Sequence, residues 1–317
     1  MPGLFRRLPS GKIIYFSLCA VALAGNVYLF FLDTAPHAYG RDFNIYVSAV
    51  RVHDSGGNPY APAELASQSG DFLAFTSSPV TLPVFTILDK LAKPFGYWVL
   101  YLLFLALSFF VVVKSFSNND LLYLAVLLLS GFWASYLNLM TGNIELLMLL
   151  VFSAACFFYV RNRLPAFYLS IGALAVFKVA PALFGLPPFL IGGEKRLKVR
   201  AALMFFAVLA ALNGLSLALY GRAHIAWLKQ LFGQGAIRDA AGGSGVSFFA
   251  LAYRLLLAED RDPLFFAGLL HAVFSAVCVL GFIIFKRRVV DRNAVFFFGV
   301  LAALLVMPRL RDYSFVY

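Results

Sequence analysis

A chain of 317 residues in which 62% of the residues are hydrophobic and only 13% are charged is too apolar for a water-soluble domain. Its mean hydropathy of +0.85 and its long apolar stretches fit a membrane core roughly 30 Å thick. The formal net charge of +11 comes from basic residues scattered over short loops without a continuous basic face, which excludes a nucleic-acid-binding protein. The composition therefore predicts an all-α polytopic integral membrane protein.

The predicted membrane spans follow one another along the whole chain. The first, from Ile13 to Leu32, follows basic residues and has no small-residue cleavage site, so we interpret it as a retained anchor. About seven full crossings are expected in all, because six further apolar stretches are long enough to cross a bilayer. These six stretches are 95–113, 121–137, 144–160, 200–220, 264–285 and 293–307.

Two apolar pieces, 166–177 and 182–191, are each too short to cross a bilayer. Basic residues lie at the outer ends of the pair, both before the first piece and after the second. Both ends should therefore lie on the same side, so the pair is predicted to form a short hairpin that dips into the membrane. The tip of this hairpin is Lys178-Val-Ala-Pro181.

Lys and Arg residues are concentrated in alternate loops, which predicts the orientation of the chain. The long loops 33–94 and 221–263 and the C-terminal residues 308–317 carry about as many acids as bases. By the positive-inside rule, the basic loops are cytoplasmic and the long loops are extracytoplasmic. We therefore expect a multi-pass protein of the plasma (inner) membrane with a cytoplasmic N-terminus. The basic set comprises the N-terminus, 114–120, 161–165, 192–200 and 286–292.

The two extracytoplasmic loops, 33–94 and 221–263, are too long to be simple turns between spans. Residues 33–78 form a polar segment rich in Gly, Pro, Ser, Asp and Asn. Residues 79–94 and 247–258 have the mixed pattern of amphipathic helices that lie at a membrane interface. Because the chain shows no internal repeat, we expect one domain over residues 1–317.

Asp42 lies in the most informative stretch of the first loop, residues 40–51, just beyond the first span. A carboxylate near the outer membrane surface can act as a general base toward an acceptor hydroxyl. The acids Asp33, Asp54 and Asp71 compete for this role. Any of the four is also compatible with an ordinary solvated loop acid.

Lys178 is the second candidate for a functional residue. An ionisable residue at membrane depth is costly to bury unless it is paired, which makes it a functional hypothesis. At the hairpin tip, near the helix-breaking Pro181, a lysine can hold a lipid phosphate as a point charge. The alternative is a lysine whose ammonium reaches ordinary loop water.

Other polar residues stand at the ends of predicted spans. Glu145 opens the fourth span, where an acid is also favourable simply because it faces the helix dipole. Arg309, Arg311, Asp312 and Tyr313 follow the last span and form either an interfacial anchor or part of the outer site. No histidine pattern has metal-ligand spacing and the cysteines lie in apolar runs, so we expect no metal and no cofactor.

With these pieces the chain resembles glycosyltransferase family 87 of the membrane-embedded GT-C superfamily, which is similar to polyprenol-phosphate-mannose-dependent mannosyltransferases. The family usually has Gly-Gln-x-Asn at 142–145 and Ser-Pro-x-Ser-Trp after residue 307, and neither is present here, so acceptor contacts are expected to differ. Family members usually continue with further helices, which predicts a shortened C-terminus. The matching pieces are Asp42-Phe-Asn-Ile-Tyr46, Gly57-Asn-Pro-Tyr60, Ser78-Pro79, Gly142-Asn-Ile-Glu-Leu-Leu and Lys178-Val-Ala-Pro181.

The resemblance implies a GT-C-like helical bundle whose first-loop aspartate, here Asp42, is the catalytic base. It also implies a polyprenyl-phosphate-linked sugar donor, most often of mannose, and an acceptor that is a glycolipid, a polysaccharide or a protein. We expect an inverting transfer in which Lys178, helped by Arg41 or Arg309, binds the donor phosphate. The candidates for substrate binding are Tyr46, Tyr60, Asn143, Glu145, Arg311 and Tyr313.

Two other classes of function compete with the transferase: a secondary transporter or lipid flippase, and a non-catalytic membrane assembly protein. Transporters often show internal repeats and paired broken helices, whereas this sequence has one broken pair and no repeat. The long polar loop after the first span also favours the transferase, because a transporter gains little from it.

Overall fold

The computed structural model describes residues 11–32, 39–71, 74–116, 135–191, 195–232, 248–257, 263–289 and 291–306. Every regular element within these ranges is helical, as the composition predicts. In chain order they are α1 (Gly11–Leu32), α2 (Arg41–Asp54), α3 (Pro62–Ser69), α4 (Leu82–Ala92), α5 (Tyr97–Ser115), α6 (Glu145–Val160), α7 (Leu164–Phe177), α8 (Leu186–Ile191), α9 (Lys195–Phe232), α10 (Phe248–Leu257), α11 (Pro263–Arg288) and α12 (Arg292–Leu305). Short 3-10 helices occupy Pro79–Thr81 and Ala180–Gly185.

Four helices of this described part are long and apolar enough to cross a membrane: α1, α5, α9 and α11. Two further predicted spans, 144–160 and 293–307, are the shorter apolar helices α6 and α12, of 16 and 14 residues. The predicted span 121–137 lies largely outside the described residues. The protein is therefore an all-α polytopic membrane protein, and the side of the membrane that each loop faces stays a prediction.

The predicted polar loop 33–78 contains two helices, α2 and α3, which its composition did not indicate. The packing of α2 against α3 and α4 explains why the segment is ordered, since most of its apolar residues become buried. The amphipathic helices predicted at 79–94 and 247–258 are present as α4 and α10, each with one buried and one exposed apolar side. The buried residues of α2 are Ile45, Tyr46, Val47, Ser48, Ala49, Val50 and Val52.

The described residues belong to two compact units. The first takes in the described residues of 1–73 and 82–163, and within it α5 packs against α6, α1 and α4. The second takes in those of 74–81 and 164–312, where α7 packs against α9, α12 against α8, and α11 against both α10 and α12. The assignment of one domain to residues 1–317 stays a prediction.

The predicted hairpin has the local structure that its sequence suggests. Helix α7 ends at Phe177, and Lys178 and Val179 lie outside regular helix before the 3-10 helix that leads into α8. Pro181 stands in the first turn of that 3-10 helix, where its missing N–H leaves no hydrogen bond unmade. The chain is thus broken at the predicted tip.

Helix α9 is longer than the span predicted at 200–220. It continues to Phe232 through Tyr220, whose non-helical φ of −127° and ψ of 21° mark a kink. The predicted loop 221–263 therefore begins as helix, because the Ala, Leu, Lys and Gln residues after the kink are good helix formers. Many large apolar side chains of α9 and α11 are exposed, as expected for helices that meet lipid.

Candidate active site

Asp42 lies in the first turn of α2, and the start of this helix is tied to the residues just before α6. Gly40, which precedes the helix, has a φ of 65°, and its N–H donates a 2.9 Å hydrogen bond to the carbonyl oxygen of Met140. A Cβ at position 40 would lie 2.8 Å from Cε1 of Tyr97. Glycine tolerates both the positive φ and the close approach of Tyr97 at position 40. The carboxylate of Asp42 is favourable in the first turn because it lies at the positive end of the helix dipole.

Asn143 orients the carboxylate of Asp42. Its Nδ2 donates a 2.6 Å hydrogen bond to Asp42 Oδ2, and its Oδ1 accepts one of 3.2 Å from the N–H of Glu145. The second contact distinguishes the two ends of the amide, because a backbone N–H can bond only to the oxygen. Asn143 is 3% exposed, and its own N–H donates to the carbonyl oxygen of Asn138 at 2.9 Å.

The turn that presents Asn143 to α2 depends on Gly142. This residue has a φ of 68°, in the left-handed region that favours glycine. A Cβ at position 142 would lie 2.6 Å from the Cβ of Phe43 and 3.1 Å from Cδ2 of Tyr97. The absence of a side chain therefore allows the turn and α2 to approach closely enough for the Asn143–Asp42 hydrogen bond.

Asp42 keeps one carboxylate oxygen available for chemistry. Its Oδ2 accepts the hydrogen bond from Asn143, and among the described residues no hydrogen bond or ion pair reaches its Oδ1. The side chain is half-buried, and the neighbouring Arg41 is exposed. A carboxylate held through one oxygen and open through the other can take a proton from a hydroxyl placed about 3 Å away.

Three aromatic residues lie beside Asp42, and the sequence did not single them out. Phe43 and Tyr97 stack with their ring centres 5.5 Å apart, and each meets the ring of Tyr101 at 85°. Tyr101 is completely buried, and its hydroxyl has no hydrogen-bond partner within the described part of the chain. Tyr97 and Tyr101 fall inside a predicted span, which hid their position beside the acid.

The remaining substrate-binding candidates of the first unit, Tyr46, Tyr60 and Glu145, are buried. Tyr46 stacks on Phe85 with ring centres 4.6 Å apart, and its hydroxyl accepts a 3.4 Å hydrogen bond from the N–H of Ile144. Tyr60 is 8% exposed, and burial raises the pKa of its phenol, so the hydroxyl stays protonated. Glu145 is 1% exposed in the first turn of α6. Their role in substrate binding stays a prediction.

Lys178 belongs to the second unit and is half-buried. It follows the last residue of α7, and its N–H donates a 3.0 Å hydrogen bond to the carbonyl oxygen of Leu174. The carbonyl oxygen of Val176 accepts a 2.8 Å hydrogen bond from the N–H of Ser78. The backbone on which Lys178 stands is therefore held by hydrogen bonds from two parts of the chain.

Arg309, Arg311 and Tyr313 lie outside the described residues, and so does the competing acid Asp33. The other two competitors, Asp54 and Asp71, stand near the C-terminal ends of α2 and α3. Within the described ranges no three His, Cys, Asp or Glu side chains come together as metal ligands would.

A family model for glycosyltransferase family 87 matches residues 75–308, well over half of the chain. The chain belongs to glycosyltransferase family 87. Neither the curated proteins nor the solved structures include a significant match. The apolar spans and the family together make this protein a membrane glycosyltransferase.

The family-87 match divides the candidate residues. It includes Asn143, Glu145 and Lys178, whereas Arg41, Asp42, Tyr46 and Tyr60 precede its first residue. The assignment of Asp42 consequently depends on the geometry described above. Asn143, which the match includes, contacts Asp42 directly.

Proposed function

We propose that this protein transfers a sugar, mannose most often in such enzymes, from a polyprenyl-phosphate donor to an acceptor hydroxyl on the extracytoplasmic face of the membrane. The observation that carries the proposal is the carboxylate of Asp42, which Asn143 holds through Oδ2 while Oδ1 has no partner among the described residues. Membership of a glycosyltransferase family favours sugar transfer over transport or a purely structural role.

The proposed reaction is a single displacement with inversion at the anomeric carbon. Asp42 Oδ1 takes the proton of the acceptor hydroxyl while that oxygen attacks the anomeric carbon from the face opposite the phosphate. The bond between the anomeric carbon and the phosphate oxygen breaks, and its electron pair leaves with the polyprenyl phosphate. Asp42 then releases its proton to water, which restores the carboxylate for the next cycle.

Lys178 is the proposed partner of the leaving phosphate. Negative charge accumulates on the phosphate as the glycosidic bond breaks, and a fixed cation stabilises it. A lysine serves this purpose as a point charge that does not require one bonding geometry. Arg41, which is exposed, and Arg309 are proposed to assist, and the acceptor is a glycolipid, a cell-envelope polysaccharide or a protein.

Replacement of Asp42 by Asn tests the proposed base. The purified protein in detergent receives radiolabelled polyprenyl-phosphate mannose and, as a source of acceptors, an extract of membranes that lack this protein. Asp42→Asn should reduce transfer by about 10²- to 10⁴-fold and leave donor binding unchanged, because the amide keeps the shape but cannot take the proton.

The matched controls are Asp54→Asn and Asp71→Asn, which remove the competing described acids. Both should transfer at about the wild-type rate. Near wild-type transfer by Asp42→Asn, or a larger loss in either control, would reject Asp42 as the base. Cleavage of the product by mannosidases of known anomeric specificity measures whether the configuration has inverted.

A further inference from the structure

A chain of three buried polar side chains runs through the second unit. The Oγ of Ser216 lies 2.9 Å from Nδ1 of His224 and 3.1 Å from Oγ of Ser78. These residues are 0%, 4% and 1% exposed, respectively. Buried polar groups are costly unless they are hydrogen-bonded, and here they satisfy one another. We call this set the His224–Ser216–Ser78 chain.

One end of the His224–Ser216–Ser78 chain bridges the kink in α9. Ser216 and His224 stand eight residues apart on this helix, and Tyr220, the residue with non-helical angles, lies midway between them. In a straight helix their Cα atoms would be about 12 Å apart, too far for these short side chains to meet. The hydrogen bond therefore depends on the kink and in turn holds it.

The other end of the His224–Ser216–Ser78 chain reaches the backbone next to Lys178. The N–H of Ser78 donates a 2.8 Å hydrogen bond to the carbonyl oxygen of Val176, in the last turn of α7. The last carbonyl oxygens of a helix have no partner inside the helix, so Ser78 supplies one from outside. The carbonyl oxygen of Ser78 is also engaged, because it accepts hydrogen bonds from the N–H and hydroxyl of Thr81.

A second contact, from Trp227, links residues 76–78 to α9. Trp227, 4% exposed, donates a 3.1 Å hydrogen bond from Nε1 to the carbonyl oxygen of Thr76, and its ring lies 5.3 Å from that of His224. Residues 76–78 are thus fixed to α9 at two points and to the end of α7 at a third. Displacement of His224 should therefore move Lys178, the residue that follows α7.

We propose that His224, acting through Ser216 and Ser78, is a positioning residue for Lys178. By holding the last turn of α7 it fixes the place from which the lysine presents its ammonium to the donor phosphate. The hydroxyl of Ser216 is completely buried and cannot itself reach a substrate. This inference rests on the proposed function, because it takes the donor phosphate as the ligand of Lys178.

Affinity for the donor is the first readout, measured as binding of polyprenyl-phosphate mannose to the purified full chain. His224→Leu should weaken binding about 3- to 10-fold, the effect expected for loss of one buried hydrogen bond, and should also slow transfer at saturating donor, because Lys178 stabilises the phosphate as it leaves. His224→Asn should retain wild-type affinity, because its amide can bond to Ser216 from about the position of Nδ1.

Asn213→Ala is the matched control. It removes a polar side chain from the same helix, but one whose only hydrogen bond within the described residues is a 2.8 Å bond to the carbonyl oxygen of Leu209. This variant should bind the donor as the wild type does. Equal losses in Asn213→Ala and His224→Leu, or no rescue by His224→Asn, would overturn the inference. Should His224→Leu fail to fold, Ser78→Ala tests the same link, since it removes one hydroxyl and keeps the backbone bond to Val176.

A double-mutant cycle asks whether the effect passes through the lysine. Lys178→Ala should weaken donor binding by itself, and addition of His224→Leu should cause no further loss, because the group being positioned is already absent. Losses that add in full would show that His224 acts elsewhere and would overturn the inference.

Labelling of Lys178→Cys distinguishes a failure of this inference from a failure of the proposed function. In a background with Cys19, Cys156 and Cys278 replaced, the rate of reaction with a water-soluble thiol reagent reports the position of this residue without any donor. His224→Leu should change that rate at least twofold, and an unchanged rate would overturn the inference. If Lys178→Ala leaves donor affinity unchanged, the donor assignment of the proposed function fails instead.

Discussion

The start of α2 and the His224–Ser216–Ser78 chain use polar residues in opposite ways. At α2 a charged carboxylate is half-buried and held by one amide, with its Oδ1 unbonded among the described residues. In the His224–Ser216–Ser78 chain, the neutral side chains are almost completely buried and each is hydrogen-bonded to the next. A residue that reacts must keep bonding capacity, whereas buried polar residues that only position others are stabilised by bonding to one another.

This difference predicts different responses to substitution. At the start of α2, changes should alter the rate of transfer more than the affinity for the donor. In the His224–Ser216–Ser78 chain, changes should lower donor affinity together with the rate at saturating donor, because Lys178 both binds the phosphate and stabilises it as it leaves. The three predictions that follow test the α2 side of this comparison, from the largest expected effect to the smallest.

Asn143→Ala should have the largest effect of the three. Loss of the amide frees the Asp42 carboxylate to rotate, and misplacement of a catalytic group by about 1 Å can cost about 100-fold in rate. We therefore expect about 10- to 100-fold slower transfer of radiolabelled mannose with unchanged donor binding.

Asn44→Ala is the control for Asn143→Ala. Asn44 stands two residues from Asp42, but its Nδ2 donates to the carbonyl oxygen of Ser69 at 2.9 Å. The rate of this variant should stay within about twofold of the wild type, as expected for an exposed hydrogen bond. Similar losses in the two variants, or a drop in donor affinity with Asn143→Ala, would show that Asn143 does not act through Asp42.

Gly142→Ala should lower stability by about 2 kcal/mol or more, because the new Cβ must adopt the left-handed conformation and also meets Phe43. Gly56→Ala isolates the first cost, since Gly56 has a φ of 83° and nothing within 4 Å of its Cβ position. That control should lose only about 1 kcal/mol. Thermal unfolding in detergent measures both, and equal losses would mean that Phe43 does not restrict the turn.

Tyr101→Phe should have the smallest effect, and the opposite sign. The hydroxyl of Tyr101 is buried with no hydrogen-bond partner in the described part of the chain, so its removal should raise stability by up to about 1 kcal/mol. Transfer should stay within about twofold of the wild-type rate. A strong loss of transfer with normal stability would instead identify the hydroxyl as a partner of Asp42 during the reaction.

Several features could be predicted from the sequence because they depend on residues close together in the chain. The long apolar helices α1, α5, α9 and α11 follow from length and hydropathy alone. The break at Lys178 follows from a basic residue and a proline between two short apolar pieces. Helix α2 could not be found in this way, because its polar surroundings suggested a loop and its apolar side appears only when α3 and α4 cover it.

The local sequence by itself determined that this is a membrane protein, where most of its spans lie and which family its residues resemble, since hydropathy and short motifs are read along one dimension. Only the tertiary structure decided which side chains meet. Asn143 and Asp42 are 101 residues apart in sequence, and Ser78 and Ser216 are 138 apart. Hydrogen bonds are short and directional, so such pairs exist only after the helices have packed and the turn at Gly142 and the kink at Tyr220 have formed.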